Sequence, residues 1–303
     1  MKHAYLIVAH QYPEQLVRLV DRLQSPDARF YIHIDKKVEH MMDDPHIKKL
    51  QNCYNVLIYS VLKTYWGGYT QVATTLFLLR EALKDSDNGR FTLLSGVCYP
   101  LKPLSVIETF FKDNPYNYIS YVASESDHKY WVERYYFYDT PYFDARTRVN
   151  SLKNNIIYQL LLIVQRITCL LVQGLHLRIR PKTGMKYYHG SNWFSLTREA
   201  VQRIIDKLDA NPKIEKRFRY TAVIDESFFI MMLLNDDALR PSVVNDDLRL
   251  RNADGRLFRG GPARTAKDYD FIKASTALWG RKLIPGDSDE LMDRIDREIL
   301  NPH

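Results

Sequence analysis

Asp225 and Glu226 stand together ahead of the apolar run from Phe228 to Leu234. This pattern predicts a helix from Asp225 to Leu234 with Asp225 as its cap. The amino end of a helix favours negative charge, so Glu226 is expected to stay ionised there. An ionised carboxylate on a fixed element can take a proton from a hydroxyl group. The plainer reading makes Glu226 an ordinary acid of a first helical turn.

The final quarter of the chain is rich in cations: Arg249, Arg251, Arg256, Arg259, Arg264, Arg281 and Lys282. Such groups can stabilise charge developing on a diphosphate much as a metal ion would, although some of them read equally well as a solvated basic face. No metal site is expected. Asp-x-Asp occurs only at Asp85 to Asp87, in a turn, and at Asp287 to Asp289, near the last helix, where both read as solvated caps. Cys53, Cys98 and Cys169 form no CxxC pair, which argues against structural zinc and against a disulfide framework. Cys98 has no histidine nearby in sequence to activate it and reads as a packing thiol. The chain also lacks GxGxxG after its first strand, GxxxxGK[ST], GxSxG and HExxH, which lowers the dehydrogenase, P-loop, hydrolase and zinc-protease classes. From Glu125 to Phe143 aromatic residues crowd together, among them Tyr130, Trp131, Tyr135, Tyr136, Phe137 and Tyr138, either to stack on sugar rings or to build a core.

Strands must hold these groups in place. Ala4 to Ala9 is an apolar run of strand length, and Pro13 opens a helix with Leu16, Leu19, Val20 and Leu23 on one face. Phe30 to Ile34, Val56 to Ser60, Phe91 to Leu94 and Tyr118 to Tyr121 read as further strands. Val72, Leu76, Leu79 and Leu83 mark a helix. Alternating strands and helices, with strands apolar on both faces, predict an α/β fold with a mostly parallel central sheet flanked by helices. Ligands of such a sheet bind beyond the carboxyl ends of its strands. His10, Asp35, the turn from Tyr65 to Gly68 and the segment from Ser95 to Lys102 should therefore meet in one crevice.

The 303 residues are 46% hydrophobic, enough for a sizeable core, and carry 43 basic against 36 acidic side chains. The resulting charge of +7 points to an anionic partner without choosing among nucleotide, lipid and nucleic acid. No recognised nucleic-acid motif supports the last of these. Ile156 to Leu177 is the most apolar stretch, but Gln159, Gln165, Arg166 and Gln173 interrupt it, and Lys153, Arg178, Arg180 and Lys182 flank it. A membrane span tolerates that pattern poorly. The alternatives are a helix lying on a membrane surface and a buried or oligomer-forming helix. The first apolar run is too short for a signal peptide, so the expected location is cytoplasmic, with peripheral contact at the inner membrane face under the first alternative.

Three pairs of segments and one single stretch resemble glycosyltransferase family 14, the core-2/I-branching N-acetylglucosaminyltransferases and peptide xylosyltransferases. They are Ala4 to His10 with Tyr31 to Lys37, Tyr65 to Tyr69 with Leu93 to Lys102, Gly190 to Phe194 with Asp225 to Phe229, and Leu278 to Lys282. The resemblance implies a single GT-A type nucleotide-sugar transferase domain over 1–303. Within it, 1–122 would be the nucleotide-binding half, 123–285 the acceptor-binding and catalytic half, and 286–303 a C-terminal helix. It implies transfer from a UDP-sugar to a glycan hydroxyl with inversion and with no metal cofactor, with Glu226 as general base. N-acetylglucosamine is the favoured sugar, xylose the other, and the acceptor is a glycan, lipid-linked in one reading. His10, Asp35, Trp66 and Gly67 would form the nucleotide site. Arg281 and Lys282 would face the diphosphate, with Arg249, Arg251 or Arg264 as the second cation. Ser95, Cys98, Tyr99, Gly190, Ser191, Trp193 and Asp225 would border the donor sugar or acceptor. Cys98 stands where the family usually has an acid, which implies a different acceptor contact. The competing expectation is a non-catalytic nucleotide-sugar or carbohydrate-binding protein of the same fold.

Overall fold

The computed structural model describes residues 1–122, 135–137, 139–143, 151–175, 184–251 and 263–301. The apolar run at the start becomes β1 (Lys2–Ala9), whose side chains alternate between two cores as the pleat requires. Ala4 and Leu6 face one cluster, while Tyr5, Ile7 and Ala9 face the other, all of them buried. Burying a large apolar side chain contributes about 1.5–3 kcal/mol, so a strand apolar on both faces is held firmly at the centre. Against the second face packs α1 (Pro13–Arg22), which starts with proline and buries Leu16, Val17, Leu19 and Val20.

On either side of β1, in parallel, run β2 (Ala28–Ile34) and β4 (Asn88–Ser95), and β3 (Val56–Tyr59) extends the sheet beyond β2. After α2 (Pro45–Gln51) and β3, α3 (Tyr69–Leu83) covers the first face with Val72, Leu76 and Leu79. The sheet continues through β7 (Gly190–Thr197) and β6 (Asn117–Tyr121) to β8 (Val243–Val244), in the order β3-β2-β1-β4-β7-β6-β8. The fold is thus the expected α/β arrangement, with β7 alone antiparallel to both of its neighbours. The helices α4 (Leu104–Phe111), α5 (Leu152–Gly174), α6 (Arg198–Ala210), α7 (Lys213–Phe218) and α8 (Phe228–Leu234) complete the layers up to β8.

A separate two-stranded sheet joins β5 (Cys98–Pro100) to β9 (Trp279–Arg281), with α9 (Tyr269–Ala274) before it and α10 (Asp289–Ile295) after it. Next to α10, the Asp296 carboxylate accepts hydrogen bonds from Tyr99 Oη at 2.5 Å, Arg18 Nη2 at 2.8 Å and Arg22 Nη2 at 2.6 Å. Burial alone would raise the Asp296 pKa, but these donors outweigh it and hold the carboxyl below its ordinary range. Charge-assisted contacts of this kind clasp the segment after β9 onto α1.

Candidate active site

Three parallel strands end at one edge, and the loops leaving them are tied together. Asp35 N donates to Ala9 O at 2.9 Å and Gly96 N to Val8 O at 3.0 Å, so the residues after β1, β2 and β4 are neighbours. His10, at the end of β1, is exposed, and Asp35 is buried. Asp35 Oδ1 accepts from Lys37 N and Thr64 N, while Oδ2 pairs with Lys37 Nζ at 3.4 Å. The plain loop-cap contacts are therefore present, beside whatever else Asp35 does. His33, one turn of the pleat earlier, accepts from Val61 N and Leu62 N. Burial lowers its pKa to about 4, so it stays neutral and pins the loop leading to Tyr65.

In the Trp66-Gly67-Gly68 turn, Gly67 has φ +71°, a conformation that glycine adopts without a steric cost. Trp66 is 68% exposed at its tip. A Cβ on Gly68 would lie 2.0 Å from Asp139 Oδ1, which explains the second glycine. Asp139 accepts from Tyr69 N, Thr70 N and Thr70 Oγ1, so it caps α3 across 70 residues of sequence. Nothing in the local pattern announces that partner.

Gly67 O accepts from Val223 N at 2.8 Å, which joins this turn to the acidic pair. Val223 has φ 46°, and a β-branched residue adopts that left-handed conformation at a cost of about 1–3 kcal/mol. Asp225 and Glu226 follow in a short 3₁₀ turn, Ile224–Glu226, and the α-helix begins only at Phe228. The expected helix from Asp225 is corrected here. Ser227, at φ −135° and ψ −37°, interrupts the path, so Asp225 is not the cap of α8. Asp225 instead turns to β7, where Asn192 Nδ2 donates to its Oδ2 at 3.2 Å. Its Oδ1 is buried without a hydrogen-bond partner among the described residues. Burial first, and the neighbouring Glu226 second, push the Asp225 carboxyl up to about 7.

That shift has a measurable consequence. Between the ordinary value of 3.8 and about 7 the folded chain keeps a proton that the unfolded chain has released. Stability contributed by Asp225 is therefore complete below that window and is lost as the pH rises through it. Asp225→Asn cannot lose this proton. Its melting temperature relative to the parent should rise from about pH 4 to about pH 7 and then level off. Parallel melting profiles would show that Asp225 titrates normally.

The next residues of β7 connect the acids to the cations. Trp193 carries the Arg281 guanidinium 5.0 Å from its ring centroid and that of Arg249 at 5.6 Å. Arg281 Nε also donates to Ser95 Oγ at 3.2 Å, at the carboxyl end of β4. Arg249 is 5% exposed, donates to Leu93 O at 2.6 Å, and leaves Nε buried without a partner among the described residues. Burial, and to a smaller extent Arg281, pull its pKa down from the arginine range. A concentrated pair of positive charges of this sort gains from an anion placed beside it. Arg251 forms an ion pair with Asp247 at 3.1 Å. Arg264 pairs with Asp268 at 3.0 Å, and its backbone N donates to Lys282 O at 2.9 Å, bracing the half-buried Lys282. Of the three arginines offered as second cation, Arg249 is the one stacked with Arg281 on Trp193.

Four further residues of the expected site, Cys98, Tyr99, Gly190 and Ser191, are buried. Cys98 is fully buried, with Sγ 3.3 Å from both Ser95 N and Ser95 Oγ, as befits a packing thiol. Tyr99 is fully buried with its hydroxyl on Asp296, in the clasp rather than at the strand ends. Gly190 is buried where a Cβ would meet Ser120 O at 2.2 Å, so β6 itself demands glycine. Ser191 is buried and accepts from Trp193 N, setting the start of β7. Arg256 and Arg259, and Tyr130, Trp131 and Tyr138 of the aromatic stretch, lie outside the described residues. Among the described residues no group of three or more His, Cys, Asp or Glu could hold a metal ion. Sequence reasoning missed Asp139, Asn192 as a partner of Asp225, and His33.

Comparison with known proteins gives the same site a family context. A family model described as Core-2/I-Branching enzyme matches residues 3–275. Xylosyltransferase 1 of Rattus norvegicus is 24% identical over 262 residues, covering 84% of this chain and 28% of that protein. Xylosyltransferase 2 of Rattus norvegicus is also 24% identical over 262 residues, covering 84% of this chain and 27% of its own length. The chain thus spans about a quarter of the length of these curated relatives. Among solved structures, the galactosyltransferase LgtC in complex with donor and acceptor sugar analogs aligns over 99% of this chain and 97% of that one, with TM-score 0.45 and 10% identity. Mouse xyloside xylosyltransferase 1, in its apo form, aligns over 94% of this chain and 99% of its own, with TM-score 0.40 and 10% identity.

Proposed function

The chain belongs to the Core-2/I-branching enzyme family, and from that premise we propose that it is an inverting GT-A type glycosyltransferase using a UDP-sugar. The observation that carries the reading is the chain of contacts running from Gly67 through Val223, Asp225, Asn192 and Trp193 to Arg281 and Ser95. It links an acidic pair to a cationic pair at the carboxyl ends of parallel strands, where sheets of this kind hold ligands.

In the proposed reaction an acceptor hydroxyl attacks the anomeric carbon while the bond from that carbon to the diphosphate oxygen breaks. The hydroxyl proton passes to Glu226, and the bonding electrons leave on UDP. Inversion needs one base on the face opposite the leaving group, and no glycosyl-enzyme forms. Arg281, Lys282 and Arg249 stabilise the departing diphosphate in place of a metal. His10, Asp35, Trp66 and Gly67 hold the nucleotide. UDP-N-acetylglucosamine is the favoured donor, and the names of the rat relatives support UDP-xylose as its rival. The acceptor is a glycan, and a lipid-linked one suits the basic charge of the chain.

The test is release of free UDP from a panel of UDP-sugars, with and without EDTA. Slow hydrolysis of one donor, unchanged by EDTA, is the expected outcome. Loss of turnover in EDTA would overturn the cation model. UDP binding without turnover of any donor, even with glycan acceptors present, would favour a binding protein of the same fold.

A further inference from the structure

The helix α5 carries a surface that the transfer chemistry does not use. Leu152, Ile156, Leu160, Ile163, Val164, Ile167, Leu170 and Leu171, with Leu175 just beyond, are each at least half exposed. At about 3.6 residues per turn they fall within one arc of about 140°. The opposite side is held to the protein. Tyr158 meets the Phe143 ring, Gln165 Oε1 accepts from Phe137 N, and Cys169 Sγ lies 3.6 Å from Tyr135 O. An aliphatic stripe of this length on one side of an anchored helix is far larger than scattered surface residues require.

The charge of the sequence flanking it chooses the occupant. From Ala145 to Thr197 the sequence contains no Asp or Glu, but it contains Arg146, Arg148, Lys153, Arg166, Arg178, Arg180, Lys182 and Lys186. An apolar stripe within a wholly basic segment matches an anionic lipid surface, with acyl chains for the stripe and headgroups for the cations. Leu152–Val172 is also long and apolar enough to cross a membrane. The topology opposes that orientation. The strands before and after α5, β6 and β7, pair with each other in one sheet, so both ends of the connection lie on the same side of any bilayer.

We propose that α5 lies in the plane of an anionic membrane surface, with the stripe from Leu152 to Leu175 immersed, and moors the protein there. The proposal is independent of the donor sugar, and its test uses no nucleotide. The full chain is sedimented with vesicles of phosphatidylcholine alone or with phosphatidylglycerol added. Binding should require the anionic lipid and weaken with salt. The triple variant Leu160→Glu, Ile163→Glu, Ile167→Glu should lower the bound fraction by about tenfold or more. These side chains are at least half exposed, so its melting temperature should be unchanged, and that measurement separates lost docking from lost folding. Equal binding of parent and variant, or no binding to anionic vesicles, would overturn the proposal. So would a dimer in solution that the triple variant splits while neither protein binds lipid, because the stripe would then belong to a second copy.

Discussion

Glu226→Gln should reduce the transfer rate by about 10²–10⁴-fold, the range in which a positioned general base contributes, and leave UDP affinity nearly unchanged. The substitution keeps the shape of the side chain and removes its capacity to accept a proton. Its neighbour sharpens the expectation. Asp225 is pushed up to about 7 by burial and by the adjacent acid, so near neutral pH it holds a proton for much of the time. Two carboxyls side by side whose environments separate their roles are a recurring arrangement in acid–base sites. Here the protonated partner relieves Glu226 of a like charge. Transfer by the Gln variant at the parental rate, measured as UDP release with donor and acceptor both saturating, would remove Glu226 from the chemistry.

Arg281→Met should lower kcat by about 10²–10³-fold, as loss of one stabilising group at a developing oxyanion does. The charge of Arg281 is presented through Trp193 at 5.0 Å and Ser95 at 3.2 Å, so geometry as well as charge matters. Arg281→Lys restores the charge without the flat guanidinium that stacks on the indole, and it should recover part of the activity only. A rise in KM with unchanged kcat for both variants would mean that Arg281 binds the donor equally in ground and transition states. Full activity of Arg281→Met would move the leaving-group role to Arg249 and Lys282.

The sheet was legible because strands buried on both faces read as short apolar runs, plainest in Ala4 to Ala9 of β1 and shorter in Phe30 to Ile32 of β2 and Leu93 to Leu94 of β4. Their common carboxyl edge followed from topology, and the nearness of Asp35 to the end of β1 agrees with it. The direction of β7 could not be read, since a strand's sequence does not encode whether its neighbour runs with it or against it. The helix expected from Asp225 fails for a reason that the local pattern does not carry. Val223 and Ser227 take non-helical backbone angles, while Val223 bonds to Gly67 and Asp225 to Asn192 of β7. Tyr99 reads like a crevice residue by position after β4, yet its partner Asp296 lies 197 positions away. The glycine at 190 answers to Ser120 and the one at 68 to Asp139, which are also distant. Whatever depended on long-range partners stayed hidden, and whatever depended on local period did not.

The clasp between Asp296 and the pair Arg18 and Arg22 joins residues of the first helix to one synthesised more than 270 positions after them. Arg281, the last residue of β9, which reaches Trp193 and Ser95, also follows every strand of the central sheet in the chain. On the ribosome, then, a growing chain can bring β1, β2 and β4 together before Arg281 and Asp296 have been made. A chain cut short before β9 would lack the guanidinium that stacks on Trp193 and the carboxylate that holds Arg18 and Arg22.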